Sequence, residues 1–281
     1  MKNNFELQQI ADHVRIYVER FGSQNKAANS LKGISSATLS QVLNNNWGSI
    51  SDEMWRSLAS QTGFKESGWV EVETRDYRLL TRLLTDSQQN ANVFAITGES
   101  GTGKSYTIRR FVADCKTAHA VVCREYWNRK MFLSELLAAM GRDATGLNVS
   151  ELMHEVVRQL KMQDRPVLII DEADKLSDQV LYFFITLYNE LEDRCGIVLI
   201  ATDHLAKRIR RGLKLNKKGY KEIYSRIARR SIELQGLGSV DITMICQANG
   251  VTDCKHIKEV IDDAEGDLRR VKRKIHALKI G

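Results

Sequence analysis

Proline, aromatic residues and paired cysteines are scarce in this chain of 281 residues. It has one proline, and aromatic side chains make up 7% of the sequence. Its five cysteines form no C-x-x-C pair, which argues against a zinc site or a disulfide framework. No apolar run approaches the ~18 to 20 residues of a membrane span, and residues 1–6 lack the apolar core of a signal peptide. We therefore expect a cytoplasmic protein with no membrane partner.

The overall composition is that of a globular protein. Hydrophobic residues make up 43% and charged residues 27% of the sequence, and the chain is long enough for about two domains. The net charge of +7 is unevenly distributed, with +1 over residues 1–70, −4 over 71–203 and +10 over 204–281. The basic final segment predicts contact between that part of the chain and a polyanion.

A glycine-rich loop is the most informative stretch, because it lies between an apolar run at 92–97 and a predicted helix that begins at Lys104. It matches the pattern G-x-x-x-x-G-K-[ST] of a phosphate-binding loop, whose backbone N–H groups surround a polyphosphate. Lys104 is expected to reach the β- and γ-phosphates of ATP, and Ser105 to hold Mg²⁺. The predicted nucleotide-binding residues are Gly98, Glu99, Ser100, Gly101, Thr102, Gly103, Lys104, Ser105 and Tyr106.

Two adjacent carboxylates follow a second apolar run. Residues 167–170 are apolar and precede Asp171 and Glu172, which predicts a buried central strand that ends in two acids. Ligands of open α/β sheets bind at the carboxyl ends of the strands. We therefore predict that Asp171 binds Mg²⁺, directly or through water, and that Glu172 polarises the attacking water.

Buried strands alternate with helices through the middle of the chain, which predicts a parallel sheet with helices on both faces. Residues 88–92 are predicted to form a polar loop before the first strand. The predicted helices are 75–86, 130–140, 149–162, 177–193 and 221–230. The other predicted strands are 118–124, 196–203 and a short edge strand at 231–234, and residues 239–281 are predicted to form a small set of helices.

Short helices are predicted over residues 5–62. Within them, residues 23–44 contain a short helix, a glycine turn and a second helix, a pattern that resembles the helix-turn-helix of phage repressors. In that family the N-terminal end of the second helix enters the major groove of DNA. The alternative is a small helical module for protein contact. The polar positions predicted to contact bases or phosphates are Gln24, Ser35, Ser36, Thr38 and Gln41.

The two nucleotide motifs resemble those of the AAA+ ATPases, and the resemblance covers residues 75–281. It implies an α/β fold of the AAA+ P-loop type with a small helical lid, preceded here by the all-α helix-turn-helix domain. In that family a polar residue ends the strand after the Asp-Glu strand. Thr202 has that position, and the resemblance implies that it holds the nucleophilic water.

Arginines complete the site in the AAA+ family. One comes from a neighbouring subunit and stabilises charge on the γ-phosphate, and Arg226 is the candidate, with Arg229 and Arg230 as rivals. Residues 266–269 look like the lid arginine motif, so Arg269 is expected to reach the γ-phosphate when the lid closes. A trans-acting arginine implies an ATP-dependent homo-oligomer, either a helical filament or a ring.

The order of a helix-turn-helix, a minimal AAA+ domain and a short lid resembles the phage Mu transposition protein B group. That resemblance implies ATP-dependent filaments on duplex DNA inside a bacterial host cell, which deliver target DNA to a transposase, stimulate it and are lost on ATP hydrolysis. The matching DNA contacts are Arg129 and Lys130 at a helix start, with Arg142 and Thr145 after that helix. The basic segments 207–218 and 270–274 are expected to meet either DNA or an acidic part of the transposase.

We predict three domains on this basis, a DNA-binding domain at 1–66, a nucleotide-binding core at 67–234 and a lid at 235–281. Two other functions fit the same motifs. A helicase loader of the AAA+ family also binds DNA and ATP, although such loaders more often begin with a partner-binding segment. A transcriptional regulator would use ATP as a switch for DNA affinity, but Glu172 and Arg226 favour turnover of ATP.

Overall fold

The computed structural model describes residues 4–64, 69–227 and 231–280. The chain divides into two compact units, Met1–Val70 and Glu71–Gly281. Each unit has a hydrophobic core of its own. None of the described helices combines the length and the apolar character that a membrane crossing requires.

The first unit is helical, and three of its four described α-helices begin at serine caps. Ser23, Ser35 and Ser51 each accept a hydrogen bond from the backbone N–H three residues further on, which satisfies a donor that the helix itself leaves unpaired. Gly33, with φ of +71°, forms the turn predicted between the second and third helices. The helices are α1 (Asn4–Phe21), α2 (Gln24–Asn29), α3 (Ser36–Leu43) and α4 (Asp52–Thr62).

The core of the first unit joins all four helices. Ala27 from α2 and Leu39 and Val42 from α3 are fully buried against Val14 of α1 and Trp55 of α4. Burial of one such aliphatic side chain contributes ~1.5–3 kcal/mol, so this apolar pattern is sufficient to fix the helices on one another. The short helix, the glycine turn and the second helix therefore form where the sequence predicts them.

The second unit is built on a parallel sheet of five strands in the order β2-β3-β4-β1-β5. The strands are β1 (Val93–Thr97), β2 (Ala118–Val122), β3 (Val167–Asp171), β4 (Gly196–Ala201) and β5 (Ser231–Glu233). The helices are α5 (Arg75–Asn90), α6 (Lys104–Asp114), α7 (Arg129–Ala139), α8 (Val149–Lys161), α9 (Asp178–Leu181), α10 (Phe183–Leu191), α11 (Asp203–Lys214), α12 (Tyr220–Ile227), α13 (Ser239–Ala248), α14 (Cys254–Ala264) and α15 (Leu268–Ile280).

Helices cover both faces of this sheet, as predicted. On one face, α5 and α6 pack on the strands through residues such as Leu84 and Ile108. On the other face, helices α7 to α12 supply a larger core that includes Phe132, Leu187 and Ile223. All residues of the two central strands β3 and β4 are buried, which explains their continuous apolar sequences.

Two sequence predictions of helix boundaries are wrong. Helix α5 continues to Asn90 through the stretch predicted as a polar loop, because the Gln88 side chain donates hydrogen bonds to Cys115 and Thr117. The helix predicted at 177–193 is two helices, α9 and α10, which meet at Tyr182. The Tyr182 ring packs edge-on against Tyr220 there, with 6.2 Å between ring centroids.

Because α5 and β4 are in close contact, one methyl group added at Gly196 is expected to destabilise the fold. A Cβ at Gly196 would lie 2.2 Å from the backbone oxygen of Ser87, and backbone cannot give way cheaply. We expect Gly196→Ala to lower the free energy of unfolding by ~1–3 kcal/mol, measured by chemical denaturation of the full chain. Gly238→Ala is the control, since its nearest neighbour lies at 3.9 Å and its φ is −81°. Equal stability of Gly196→Ala and the natural chain would contradict this packing.

Candidate nucleotide site

The glycine-rich loop connects β1 to α6 and folds around the side chain of Lys104. The Lys104 ammonium donates hydrogen bonds to the carbonyl oxygens of Gly98 at 2.7 Å and Glu99 at 2.5 Å. Gly101 and Gly103 have φ of +85° and +92°, a conformation that glycine adopts without steric cost. Burial lowers the pKa of Lys104 from its ordinary value. Helix α6 begins directly after the loop, so its unpaired N–H groups face the same space.

Asp171 ends β3 beside this loop and is 1% exposed. The Ser105 hydroxyl donates to its carboxylate at 3.0 Å, so residues that are 66 positions apart in sequence meet here. Burial raises the pKa of Asp171. A hydroxyl and a carboxylate are the hard oxygen donors that Mg²⁺ prefers, and a cation between them would stabilise the charged carboxylate. The pair predicted to hold Mg²⁺ therefore fits that ion.

Glu172 has a left-handed backbone conformation, with φ of +55°, at the end of β3. A short 3₁₀ turn, Ala173–Lys175, follows it. This geometry directs the Glu172 carboxylate to the Lys175 ammonium, with which it forms an ion pair. Sequence reasoning did not identify Lys175, although it lies in the same short motif.

Thr202 follows β4 and is held by Asp174. The Thr202 hydroxyl donates to the Asp174 carboxylate at 2.9 Å, and the Thr202 N–H approaches the other carboxylate oxygen at 3.4 Å. Asp174 is a second site residue that sequence reasoning missed. Its only sequence signal is its place two residues after Glu172.

Helix α15 begins against the phosphate loop. The Leu268 N–H donates to the Gly101 carbonyl at 2.9 Å, and the Arg269 guanidinium donates to the Ser100 hydroxyl at 3.3 Å. A Cβ at Gly101 would lie 2.3 Å from the Asp267 carboxylate, which shows how closely the start of α15 approaches the loop. The structure thus brings Arg269, predicted to be a lid arginine, next to the phosphate loop.

Two buried carboxylates connect the start of α5 with the segment that follows β5 and with α13. Asp76, 2% exposed, accepts hydrogen bonds from the N–H groups of Gln235 at 3.3 Å and Gly236 at 2.7 Å. Asp241, 7% exposed, accepts from the Arg75 N–H at 3.0 Å. The start of α5 and the segment between β5 and α13 therefore support each other. No sequence pattern indicates these contacts, because their partners lie some 160 positions apart in the chain.

These elements enclose one cavity of 540 Å³ on the carboxyl side of the sheet. Gly98 and Glu99 are not among the residues found around the cavity, but their carbonyl oxygens accept the hydrogen bonds of Lys104. Burial, with a hydrogen bond to Glu71, raises the pKa of the Tyr106 hydroxyl at the rim of the cavity. The residues around it include Ser100, Gly101, Thr102, Gly103, Lys104, Ser105, Tyr106, Arg109, Asp171, Glu172, Asp174, Lys175, Thr202 and Arg269.

Arg226 lies elsewhere, near the amino ends of the strands, on the side of the sheet opposite the nucleotide cavity. It shares a separate cavity with Val93 and Cys195, which lie where β1 and β4 begin. Its guanidinium donates to the Asn189 side chain at 2.7 Å and lies 5.1 Å from the centre of the Tyr188 ring, and 19% of the side chain is exposed. A five-residue strand is ~16 Å long, so Arg226 does not reach the nucleotide cavity of its own chain. Its rivals Arg229 and Arg230 lie outside the described residues.

The DNA candidates of the first unit are close together. Gln24 begins α2 and Ser36 begins α3. Ser35 and Thr38 are bound to each other, with 3.0 Å between their hydroxyl oxygens. The hydroxyls of Ser35 and Thr38 therefore already have a hydrogen-bond partner. Gln41, on α3, is half-buried.

The structure separates the DNA candidates of the second unit into two pairs. Arg129 and Lys130 are exposed at the start of α7, whereas Arg142 and Thr145 lie after its end. The 11 residues of α7 span ~16 Å, so the two pairs do not form one patch. The Thr145 hydroxyl donates to Asp143 at 2.7 Å, so it is engaged within the loop.

The two basic segments, predicted to meet DNA or an acidic part of a transposase, are partly neutralised within the chain. Arg208 is structural, because it donates to Asp178 at 2.6 Å and to the Leu176 carbonyl at 2.5 Å. Tyr220 also donates to Asp178, at 2.7 Å. Further ion pairs in these segments join Lys207 with Asp203, Lys217 with Asp178, Arg270 with Glu265 and Lys274 with Asp263.

The chain was compared with curated proteins and with solved structures. No curated protein matches the chain. Among solved structures, a DNA replication initiation factor is similar at 16% identity and a TM-score of 0.49, covering 74% of this chain and 62% of its own length. Drosophila ORC bound to poly(dA/dT) DNA is similar at 12% identity and a TM-score of 0.40, covering 88% and 36%. Thermotoga maritima RuvB is similar at 14% identity and a TM-score of 0.34, covering 73% and 68%.

The chain thus spans less than two thirds of the first two of these structures. A family model described as an AAA domain matches residues 86–209, which run from α5 to α11 and include the phosphate loop, Asp171, Glu172 and Thr202. Residues 86–209 therefore match the AAA domain, and the unit that contains them has the α/β AAA+ P-loop fold.

Proposed function

We propose that this chain is an ATPase that binds ATP with Mg²⁺ and assembles on duplex DNA. The observation that carries the proposal is the convergence of separate elements on one cavity. The phosphate loop, the end of β3, the end of β4 and the start of α15 all reach it. Their side chains are complementary to a triphosphate, a cation and a water molecule. These side chains are Lys104, Ser105, Asp171, Glu172, Thr202 and Arg269.

Hydrolysis requires water to attack the γ-phosphorus while the bond to the β-phosphate oxygen breaks and ADP leaves. In our proposal Glu172 takes the proton of that water, and Thr202 orients it. Lys104 and Arg269 stabilise the negative charge of the transferred phosphoryl group. Mg²⁺ on Ser105 and Asp171 would neutralise phosphate charge.

Asp174 provides a test of the role of Thr202. Asp174→Ala removes the acceptor that orients the Thr202 hydroxyl, and we expect ATP hydrolysis to fall ~10- to 100-fold with little change in the Kd of ATP. Phosphate release and equilibrium nucleotide binding measure the two effects. Asp203→Ala is the control, since Asp203 directly follows Thr202 in sequence but pairs with exposed Lys207. If the Asp174→Ala chain hydrolyses ATP at the natural rate, hydrolysis does not depend on the orientation of the Thr202 hydroxyl by Asp174.

The position of Arg226 supports a site shared between two copies of the chain. Arg226 lies near the amino ends of the strands, opposite the cavity, so any contact it makes with ATP has to be in another copy of the chain. We propose that it enters the ATP site of the neighbouring subunit in a filament or ring. ATP then holds neighbouring subunits together, and hydrolysis separates them.

DNA delivery to a transposase is the finer part of the proposal. It is supported by the helical first unit, by the +10 charge of residues 204–281 and by the resemblance to the phage Mu transposition protein B group. We propose residues 1–66 as the DNA-binding domain, 67–234 as the ATPase core and 235–281 as the lid. The first contacts to test are the exposed residues Arg129, Lys130 and Arg142.

Electron microscopy of the full chain with ATP and random-sequence duplex DNA tests this proposal. We expect helical assemblies along the DNA with ATP and far fewer with ADP. Isolated rings that require a helicase would favour a loader, and discrete complexes at one sequence would favour a regulator. Lys104→Ala, which removes the phosphate-binding ammonium, is the control that should form none of these.

A further inference from the structure

The nucleotide cavity contains more positive charge than the two sequence motifs account for. Four cations line it, Lys104, Arg109, Lys175 and Arg269. Lys104 binds loop carbonyls, and Arg269 binds a serine hydroxyl. Lys175 differs, because its partner is the carboxylate of Glu172, the residue proposed to activate water. The Lys175 ammonium therefore occupies the carboxylate that is proposed to act as the base.

The backbone explains why these two side chains meet. The Lys175 N–H donates to the Glu172 carbonyl at 3.0 Å and closes the 3₁₀ turn, which places residues three apart on one side. The turn is anchored at both ends. Glu172 N–H donates to Asp171 at 2.9 Å, and Arg208 donates to the carbonyl of Leu176. The backbone is therefore fixed, while the two side chains remain 35% and 40% exposed and able to change partners.

We propose that Lys175 binds the γ-phosphate of ATP and in doing so releases Glu172 to the attacking water. This assignment rests on the proposed function. Before ATP binds, the ammonium and the carboxylate neutralise each other. The γ-phosphate brings about two negative charges into the same cavity, and the flexible four-carbon stem of lysine allows its ammonium to move to them. ADP lacks this phosphate and leaves the ion pair intact.

The exchange gives the site a way to distinguish ATP from ADP. Lys175 gains a stronger partner with ATP and the same partner with ADP. Glu172 becomes available as a base when a γ-phosphate is present to be attacked. Binding and activation of the water are thereby coupled through one side chain.

The test is calorimetric titration of the full chain with AMP-PNP and with ADP, both with Mg²⁺ and without DNA. We expect Lys175→Gln to weaken AMP-PNP binding at least ~10-fold and to leave ADP binding within about twofold. Lys175→Arg, which keeps the charge, should recover most of the AMP-PNP affinity. Lys161→Gln is the matched control, because Lys161 forms an exposed ion pair with Glu190 at 3.1 Å outside the cavity.

A second variant tests the change of partner itself. Glu172→Gln removes the resting ion pair, so AMP-PNP should bind more tightly than to the natural chain. In the Glu172→Gln background, Lys175 gives up no ion pair when it binds the phosphate, so its net contribution to binding is larger. Lys175→Gln should therefore cause a larger fold-loss of AMP-PNP affinity there than in the natural chain. Equal losses in the two backgrounds would show that Lys175 does not exchange Glu172 for phosphate.

The outcomes separate the two proposals. If the natural chain binds neither AMP-PNP nor ADP, that result contradicts the proposed function. Natural chain that binds both, with Lys175→Gln unchanged or weakened equally for AMP-PNP and ADP, contradicts the Lys175 assignment and leaves the proposed function intact. A selective loss of AMP-PNP affinity that arginine restores supports it.

Discussion

Glu172→Gln is expected to slow ATP hydrolysis ~10²- to 10⁴-fold, the usual contribution of a positioned general base. The amide keeps the size of the side chain but cannot accept the proton of water. ATP still binds, because Lys104, Ser105 and Asp171 are unchanged. Assemblies on DNA are therefore expected to persist, since the step that separates the subunits is lost.

Phosphate release and the lifetime of DNA-bound assemblies measure the two parts of this prediction. Glu190→Gln is the matched control, because Glu190 also forms an exposed ion pair with a lysine but lies outside the cavity. Its hydrolysis rate should equal that of the natural chain. Natural hydrolysis by Glu172→Gln would show that another group activates the water.

Arg226→Ala and Lys104→Ala are each expected to lose nearly all hydrolysis, and an equal mixture of the two is expected to recover part of it. An arginine that acts across an interface contributes ~10³ to 10⁵ in rate. The Arg226→Ala chain keeps a complete cavity, and the Lys104→Ala chain keeps its arginine. With random mixing, roughly a quarter of the interfaces contain both intact halves, so about a quarter of the natural rate should return.

Recovery in the mixture also shows that the Arg226→Ala chain is folded, which matters because Arg226 contacts Asn189 and Tyr188. Arg158→Ala is the control, since Arg158 pairs with Glu155 on the exposed side of α8. Its hydrolysis should be unchanged alone and in mixtures. If both variants are folded and the mixture stays inactive, Arg226 does not act in trans.

The sequence was sufficient for the parts of the site that are local. The phosphate loop and the Asp171–Glu172 pair are short motifs whose spacing determines their chemistry. The sheet followed from the alternation of buried strands and helices. The sequence places a serine cap for α3 at Ser35 or Ser36, because serine before an apolar helical stretch satisfies unpaired N–H groups, and the structure shows that it is Ser35.

Contacts between distant segments were not predictable in the same way. Asp76 binds the backbone N–H of Gly236, 160 positions away, and nothing in the residues around it signals that partner. Asp174 and Lys175 have no comparable sequence signal, because a charged residue after a strand usually faces solvent. Helix α5 was predicted too short because Gln88 looks like a loop residue until its tertiary partners are known.

The fate of DNA-bound assemblies after ATP is withdrawn tests the central claim most directly. Assemblies are formed on duplex DNA with ATP or AMP-PNP, free nucleotide is removed, and dissociation from DNA is followed over time. If bound ATP holds neighbouring subunits together and hydrolysis separates them, assemblies with ATP dissociate at the rate of phosphate release, and those with AMP-PNP persist. Dissociation at the same rate with both nucleotides would contradict the claim.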